Sequence, residues 1–295
     1  MKLYQASLFL NVLKRYHQLF PDEPLNVLIS LAFNESERKK FIIDYRHMIA
    51  SLIIDSGAWS VAQGNSNLTL NKVIADLLAF GHRCDRYFNF DVDFSNNGFA
   101  TNINNQFKME AAGLRPVPVI HNFYNYEISY YLSSGKYDWL ALGSSQSTQF
   151  DAIKYAVDQI KIWGNPNIKI HWFGGSSYEW LCKLPIASCD TSSWAATGTY
   201  GSIMYWNPHN PTFYKGERIY VGGRIKKLKE SEPHFQTYQW QKELETYLYE
   251  TFGFTYADLC GYQDKFNMQL VNTRFYAELE RRINEERVRH GIALE

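Results

Sequence analysis

The sequence predicts an α/β fold: a (β/α)8 TIM-type barrel with a helical C-terminal extension. Three observations lead there. Short apolar runs alternate with segments of helical period through the first two-thirds of the 295 residues. Two of those runs end in a carboxylate followed by small polar residues, where an α/β barrel presents its functional groups. The first apolar run is followed by Leu31-Ala32-Phe33-Asn34-Glu35-Ser36, which lacks the glycine-rich phosphate loop expected of an open doubly wound sheet.

In chain order, residues 1–20 show an amphipathic helical pattern. The candidate strands are 26–31, 51–55, 87–93, 117–121, 139–143, 168–173 and 186–190, with an eighth at 202–206 or 219–221. Helical segments lie between them at 71–81, 102–113, 125–135 and 149–163. Gly81, Gly113, Gly135 and Gly164 mark their ends. Residues 192–223 crowd turn formers with aromatics and are expected to form a long loop suited to a lid. Residues 1–230 are therefore read as the barrel and 231–295 as the extension packed on it.

Composition narrows the function classes. With 45% hydrophobic and 20% charged residues the chain builds a large core, which excludes disorder as its main state. Lys+Arg and Asp+Glu both number 30, so a nucleic acid would gain nothing from overall attraction and would need a local basic surface. The best such patch is Arg224, Lys226 and Lys227. Arg281, Arg282, Arg287 and Arg289 alternate with glutamates, as on an ion-paired surface helix. Cys84, Cys182, Cys189 and Cys260 are scattered without zinc spacing, and free thiols in a reducing compartment are expected. There is no signal-peptide core and no run near the roughly 20 apolar residues of a membrane span, so a soluble, cytoplasmic protein is expected.

Polar groups at the strand ends form the candidate site: Asp55, Ser56 and Gly57; Asp91 and Asp93; His121 and Asn122; Gly143; His171; and Asp190. Two carboxylates in one pocket divide the labour of glycosidic chemistry, one as nucleophile and one as acid/base. His121, His171 and Asp190 also permit an amidohydrolase-type metal site, but the His-x-His that opens such sites is missing from 26–33.

The ordered elements Asp55-Ser56-Gly57, Phe90-Asp91-Val92-Asp93, Pro118-Val119-Ile120-His121, Leu142-Gly143, His171-Trp172-Phe173-Gly174 and Ser188-Cys189-Asp190 resemble the tRNA-guanine transglycosylase superfamily. The similarity runs from about residue 52 to 194. It is closest to the compact phage-type branch that inserts 7-deazaguanines (preQ0-like bases) into DNA. The resemblance implies that Asp190 is the nucleophile at C1′ and Asp55 the acid/base. Ser56 and Gly57 would lie beside the base, and Asp91 or Asp93 would accept its N1–H and 2-amino hydrogens. His121 or Asn122, with a backbone N–H near Gly143, would address O6, and His171 would line the pocket. No cofactor or metal is implied. The partners would be a free 7-deazaguanine and a polynucleotide, with a homodimer possible and the host cytoplasm as the location if phage-encoded. The chain departs from the tRNA enzymes in lacking their cysteine/histidine zinc site and in continuing Asp55-Ser56-Gly57 with Ala58-Trp59; nor do its 295 residues hold an appended RNA-binding domain. DNA is favoured over tRNA on those grounds. N-glycoside hydrolysis by the same carboxylates is the runner-up.

Overall fold

The computed structural model describes residues 1–95, 97–143, 149–210, 216–222, 232–260 and 265–292. Among them, eight parallel strands form one curled, TIM-like sheet: β1 (Lys2–Ala6), β2 (Leu25–Ser30), β3 (Ile49–Asp55), β4 (Arg86–Tyr87), β5 (Val119–Ile120), β6 (Trp139–Leu142), β7 (Lys169–Trp172) and β8 (Ser188–Thr191). The order across the sheet is β4-β3-β2-β1-β8-β7-β6-β5.

The connecting helices are α1 (Leu10–Leu19), α2 (Glu35–Lys39), α3 (Ala58–Ala62), α4 (Leu70–Phe80), α5 (Phe99–Ala111), α6 (Glu127–Ser133), α7 (Phe150–Lys161), α8 (Tyr178–Lys183) and α9 (Ser193–Thr199). An antiparallel hairpin, β9 (Ser202–Tyr205) and β10 (Glu217–Tyr220), stands outside the sheet. The chain then continues as α10 (Gln241–Phe252), α11 (Ala257–Cys260) and α12 (Lys265–Arg289).

Strand alternation sorts the core into two clusters. Tyr4, Ala6, Leu28, Ile53, Phe88, Val117, Val119 and Ala141 fill the inside of the curl. Leu3, Val27, Ile29, Leu52, Ile54 and Cys189, on the opposite strand faces, pack against the helices.

Three expectations are corrected. The first half of 1–20 is not helix but β1, which pairs with both β2 and β8. Both of its faces are buried, so tertiary pairing overrides the helical pattern. Because β1 fills the eighth position, 202–206 and 219–221 are not barrel strands; β9 packs on α12 instead, with β10 paired to β9. Asn272 accepts the Met204 N–H at 2.7 Å, and the Trp206 and Phe275 rings stack at 4.2 Å. The span 192–223 thus holds α9 and this hairpin where a long loop was expected.

The third correction concerns the expected strand 87–93. The edge strands β4 and β5 meet at a single bridge, Phe88 to Val117, and no ladder closes the sheet there. Pro116 and Pro118 flank Val117 and bring no N–H to such a ladder. On the other side, side-chain amides capture the chain beyond β4. Asn89 donates to Asn102 O and Asn105 to Phe90 O, at 2.9 and 2.8 Å.

Helix α12 is joined to the sheet. Glu280 accepts from the Leu3 N–H at 2.7 Å and from Asn26 at 2.8 Å. Arg287, expected on a surface face, is fully buried and donates to the carbonyls of Leu181 and Leu184. Arg281 and Arg289 do make the expected pairs, with Glu285 and Glu286. Among the described residues no helix is long and apolar enough to cross a membrane.

Candidate active site

The carboxyl ends of β3, β4, β5, β7 and β8 bring polar side chains to one end of the curl. Inward-facing alternation selects them: Ile53 is followed on its face by Asp55, and Ser188 by Asp190.

Asp55 is half-buried. Its Oδ2 accepts the Gly57 N–H at 3.1 Å, and the Ser30 hydroxyl bonds to it as well. Gly57 makes this turn with φ +81°, and a Cβ there would meet Ala32 N at 2.9 Å. Burial raises the Asp55 pKa, and the charges of Asp91 and Asp190 raise it further against those two hydrogen bonds. The result is a carboxyl pushed up to about 6. Ser56 is buried beside it, and its hydroxyl makes no hydrogen bond.

Asp190 is buried at the end of β8. Its Oδ1 accepts the Gly174 N–H at 3.0 Å and lies 3.3 Å from His171 Nε2. His171 is fully buried against the rings of Phe88 and Phe173, and its Nδ1 lies 2.8 Å from Ser188 Oγ.

Asp91 is buried and bonds through Oδ2 to His121 Nε2 at 2.7 Å. Burial disfavours the His121 imidazolium. Asp91, Glu127 and the Gly143 backbone outweigh that and raise its pKa. Glu127 also accepts the His121 backbone N–H at 2.8 Å. The Phe94 ring meets His121 edge-on at 4.7 Å, and the exposed Trp59 meets Phe94 at 5.4 Å.

Several predicted residues stand apart from this cluster. Asp93 does not share a strand face with Asp91, because the run is irregular after Phe88. Its carboxylate accepts from Ser95 N–H at 3.0 Å and Thr101 Oγ1 at 3.3 Å, and these bonds hold its pKa low. Asn122 turns its side-chain oxygen to the Tyr124 N–H at 3.0 Å. The Gly143 N–H is taken up by Ile120 O at 3.0 Å, and the next five residues lie outside those described. Arg224, Lys226 and Lys227 also lie outside the described residues. The nearby Arg218 pairs with Glu232 at 3.2 Å.

Sequence reading missed four contributors: Ser30, Glu127, Gly174 and Ser188. Ser30 and Ser188 sit on strands already recognised, facing the same side as the site. Gly174 acts through its N–H, which no side-chain pattern announces. Among the described residues, no three His, Cys, Asp or Glu side chains gather as a metal site.

The arrangement can perform acid/base and nucleophilic work. One carboxyl is pushed up to about 6, while the second accepts a backbone N–H at 3.0 Å. No protein-family model and no curated protein matches the chain.

Proposed function

We propose that this protein is a base-exchanging glycosyltransferase acting on guanine in a polynucleotide, DNA before tRNA, and installing a 7-deazaguanine. The observation that carries the reading is that Asp55 and Asp190 both end strands on the inward face of the sheet. Burial and the nearby Asp91 and Asp190 charges push Asp55 up to about 6, while Asp190 Oδ1 accepts the Gly174 N–H at 3.0 Å.

In the first half-reaction Asp190 forms a bond to C1′ as the C1′–N9 bond breaks. The electron pair goes to the purine, and the proton of Asp55 neutralises it. In the second, Asp55 takes the N9 proton of the incoming base. N9 attacks C1′, and Asp190 leaves as the carboxylate. Two inversions retain the anomer. Asp91, steadied by His121 at 2.7 Å, is the acceptor for the donor edge of the purine. A purine without those donors would leave the Asp91 oxygen that His121 does not hold without a partner, at about 1–3 kcal/mol. The exposed Trp59 and Phe94 offer stacking surface beside His121.

Transfer of labelled guanine tests the reading. The protein is incubated separately with double-stranded DNA, single-stranded DNA and bulk tRNA, with Asp190→Asn as control. Asp190-dependent entry of label into DNA is expected. Guanine release without entry would replace exchange by N-glycoside hydrolysis, and neither outcome in any polymer would overturn the proposal.

A further inference from the structure

His171 is placed as few structural histidines are. It is buried, and three aromatic rings fix it: Phe173 at 4.6 Å, Phe88 at 4.8 Å and Tyr4 at 6.3 Å. Nδ1 has a partner, the Ser188 hydroxyl at 2.8 Å, whereas Nε2 is buried and makes no well-formed hydrogen bond. A histidine retained for packing would have both nitrogens satisfied. Instead Nε2 stands 3.3 Å from Asp190 Oδ1, the same oxygen that accepts the Gly174 N–H.

We propose that His171, backed by Ser188, is a positioning residue for Asp190, holding Oδ1 beside the Gly174 N–H so that Oδ2 is the oxygen presented to C1′. This role rests on the transglycosylase reading above. A carboxylate oxygen only accepts, so the contact requires hydrogen on Nε2. In the proposed neutral ring, Nδ1 is the acceptor and the Ser188 hydroxyl donates to it. The chain Ser188–His171–Asp190 thereby fixes one neutral tautomer, and no proton moves along it during the reaction. For His171 to act in this way, the 3.3 Å contact must shorten when substrate binds. An N–H bonds a carboxylate more strongly than an ester carbonyl. His171 therefore also favours expulsion of Asp190 in the second half-reaction.

Substitutions at one position separate this role from packing. The amide nitrogen of His171→Gln falls near the place of Nε2, and that of His171→Asn near the place of Nδ1. The Gln variant is expected to keep a clearly larger share of kcat than the Asn variant. His171→Asn and His171→Phe should each lose about 10- to 100-fold in kcat, the scale of one charge-assisted hydrogen bond, with KM for the incoming base unchanged. Equal losses in Gln and Asn, or a loss confined to KM, would overturn the assignment. A second measurement needs neither activity nor a core substitution at His171. Ring 15N shifts of the wild-type protein should show the neutral Nε2–H tautomer at pH 7. Asp190→Asn should move the Nε2 resonance and Ser188→Ala the Nδ1 resonance. An imidazolium, an Nδ1–H tautomer, or no response to Asp190→Asn would refute it. Expected shifts in a protein that transfers no base would remove the transglycosylase reading while leaving the His171–Asp190 contact in place.

Discussion

Strand β3 meets a carboxylate at each end, and the two are treated in opposite ways. At its amino end Asp85 accepts from Ser51 Oγ at 2.7 Å and from the Leu52 N–H at 2.8 Å, with Arg46 at 3.6 Å. Burial pushes its pKa up, but these partners outweigh it and leave the group below its ordinary value. At the carboxyl end Asp55 also has two donors, Gly57 and Ser30. Burial and the carboxylates of Asp91 and Asp190 overcome them and raise it to about 6. The lesson is that hydrogen bonds alone do not mark a structural carboxylate. Asp85 is solvated and paired with a cation, whereas Asp55 is desolvated among anions.

The contrast breaks most severely at Asp190. Asp190→Asn should reduce exchange by about 10⁴-fold or more while leaving thermal melting close to wild type, because it removes the nucleophile and little packing. Normal labelling by this variant would reassign the nucleophile.

Asp55→Asn comes next, with a rate loss of about 10²- to 10⁴-fold in guanine release. In the wild type, release should fall as pH rises through about 6, since the step needs the protonated carboxyl. Wild-type stability should fall over the same pH range. A raised pKa contributes stability that is present below the unfolded value of 3.8 and lost as pH rises through about 6. Asp55→Asn should therefore melt above the wild type at pH 7–8, by on the order of 2 kcal/mol, and the gap should vanish near pH 4. A destabilised variant at pH 8 would show that Asp55 is satisfied after all.

Asp85→Ala reverses the sign of the stability effect. Loss of its bonds to Ser51 and Leu52 should cost about 1 kcal/mol at pH 7, with exchange unaffected. A lowered pKa contributes stability that is present above the unfolded value. The cost should therefore shrink as pH falls through the folded pKa. The smallest effect belongs to Asp93→Asn, whose side chain serves Ser95 and Thr101. Steady-state rates should stay within about twofold of wild type, whereas Asp91→Asn should weaken guanine binding by about 10-fold or more. A reversal of that order would exchange their roles.

Which parts of this were readable in the chain follows from which contacts are local. Asp55 and Asp190 end well-buried strands with regular alternation, so their direction could be inferred from neighbours two residues away. Asp91 and Asp93, two residues apart, read as one strand face and could not be told apart. In the structure alternation stops at Phe88, and the amides of Asn89, Asn102 and Asn105 set the path instead. β1 was unreadable because its Leu3, Tyr4 and Ala6 are buried on both faces by β2, β8 and α12, partners up to 277 residues away. Those same pairings moved the eighth strand from the end of the barrel sequence to its beginning. The Gly174 N–H and the Ser30 hydroxyl escaped notice for a related reason: each acts on a carboxylate from a different strand.

The most direct test of the division between Asp55 and Asp190 is the site of covalent attachment. The protein would be denatured in mid-reaction with guanine-containing DNA and no incoming base, digested, and analysed by mass spectrometry. A sugar adduct on the peptide carrying Asp190, absent from Asp190→Asn, is the predicted result. An adduct on Asp55, or labelled product formed by Asp190→Asn, would contradict the assignment.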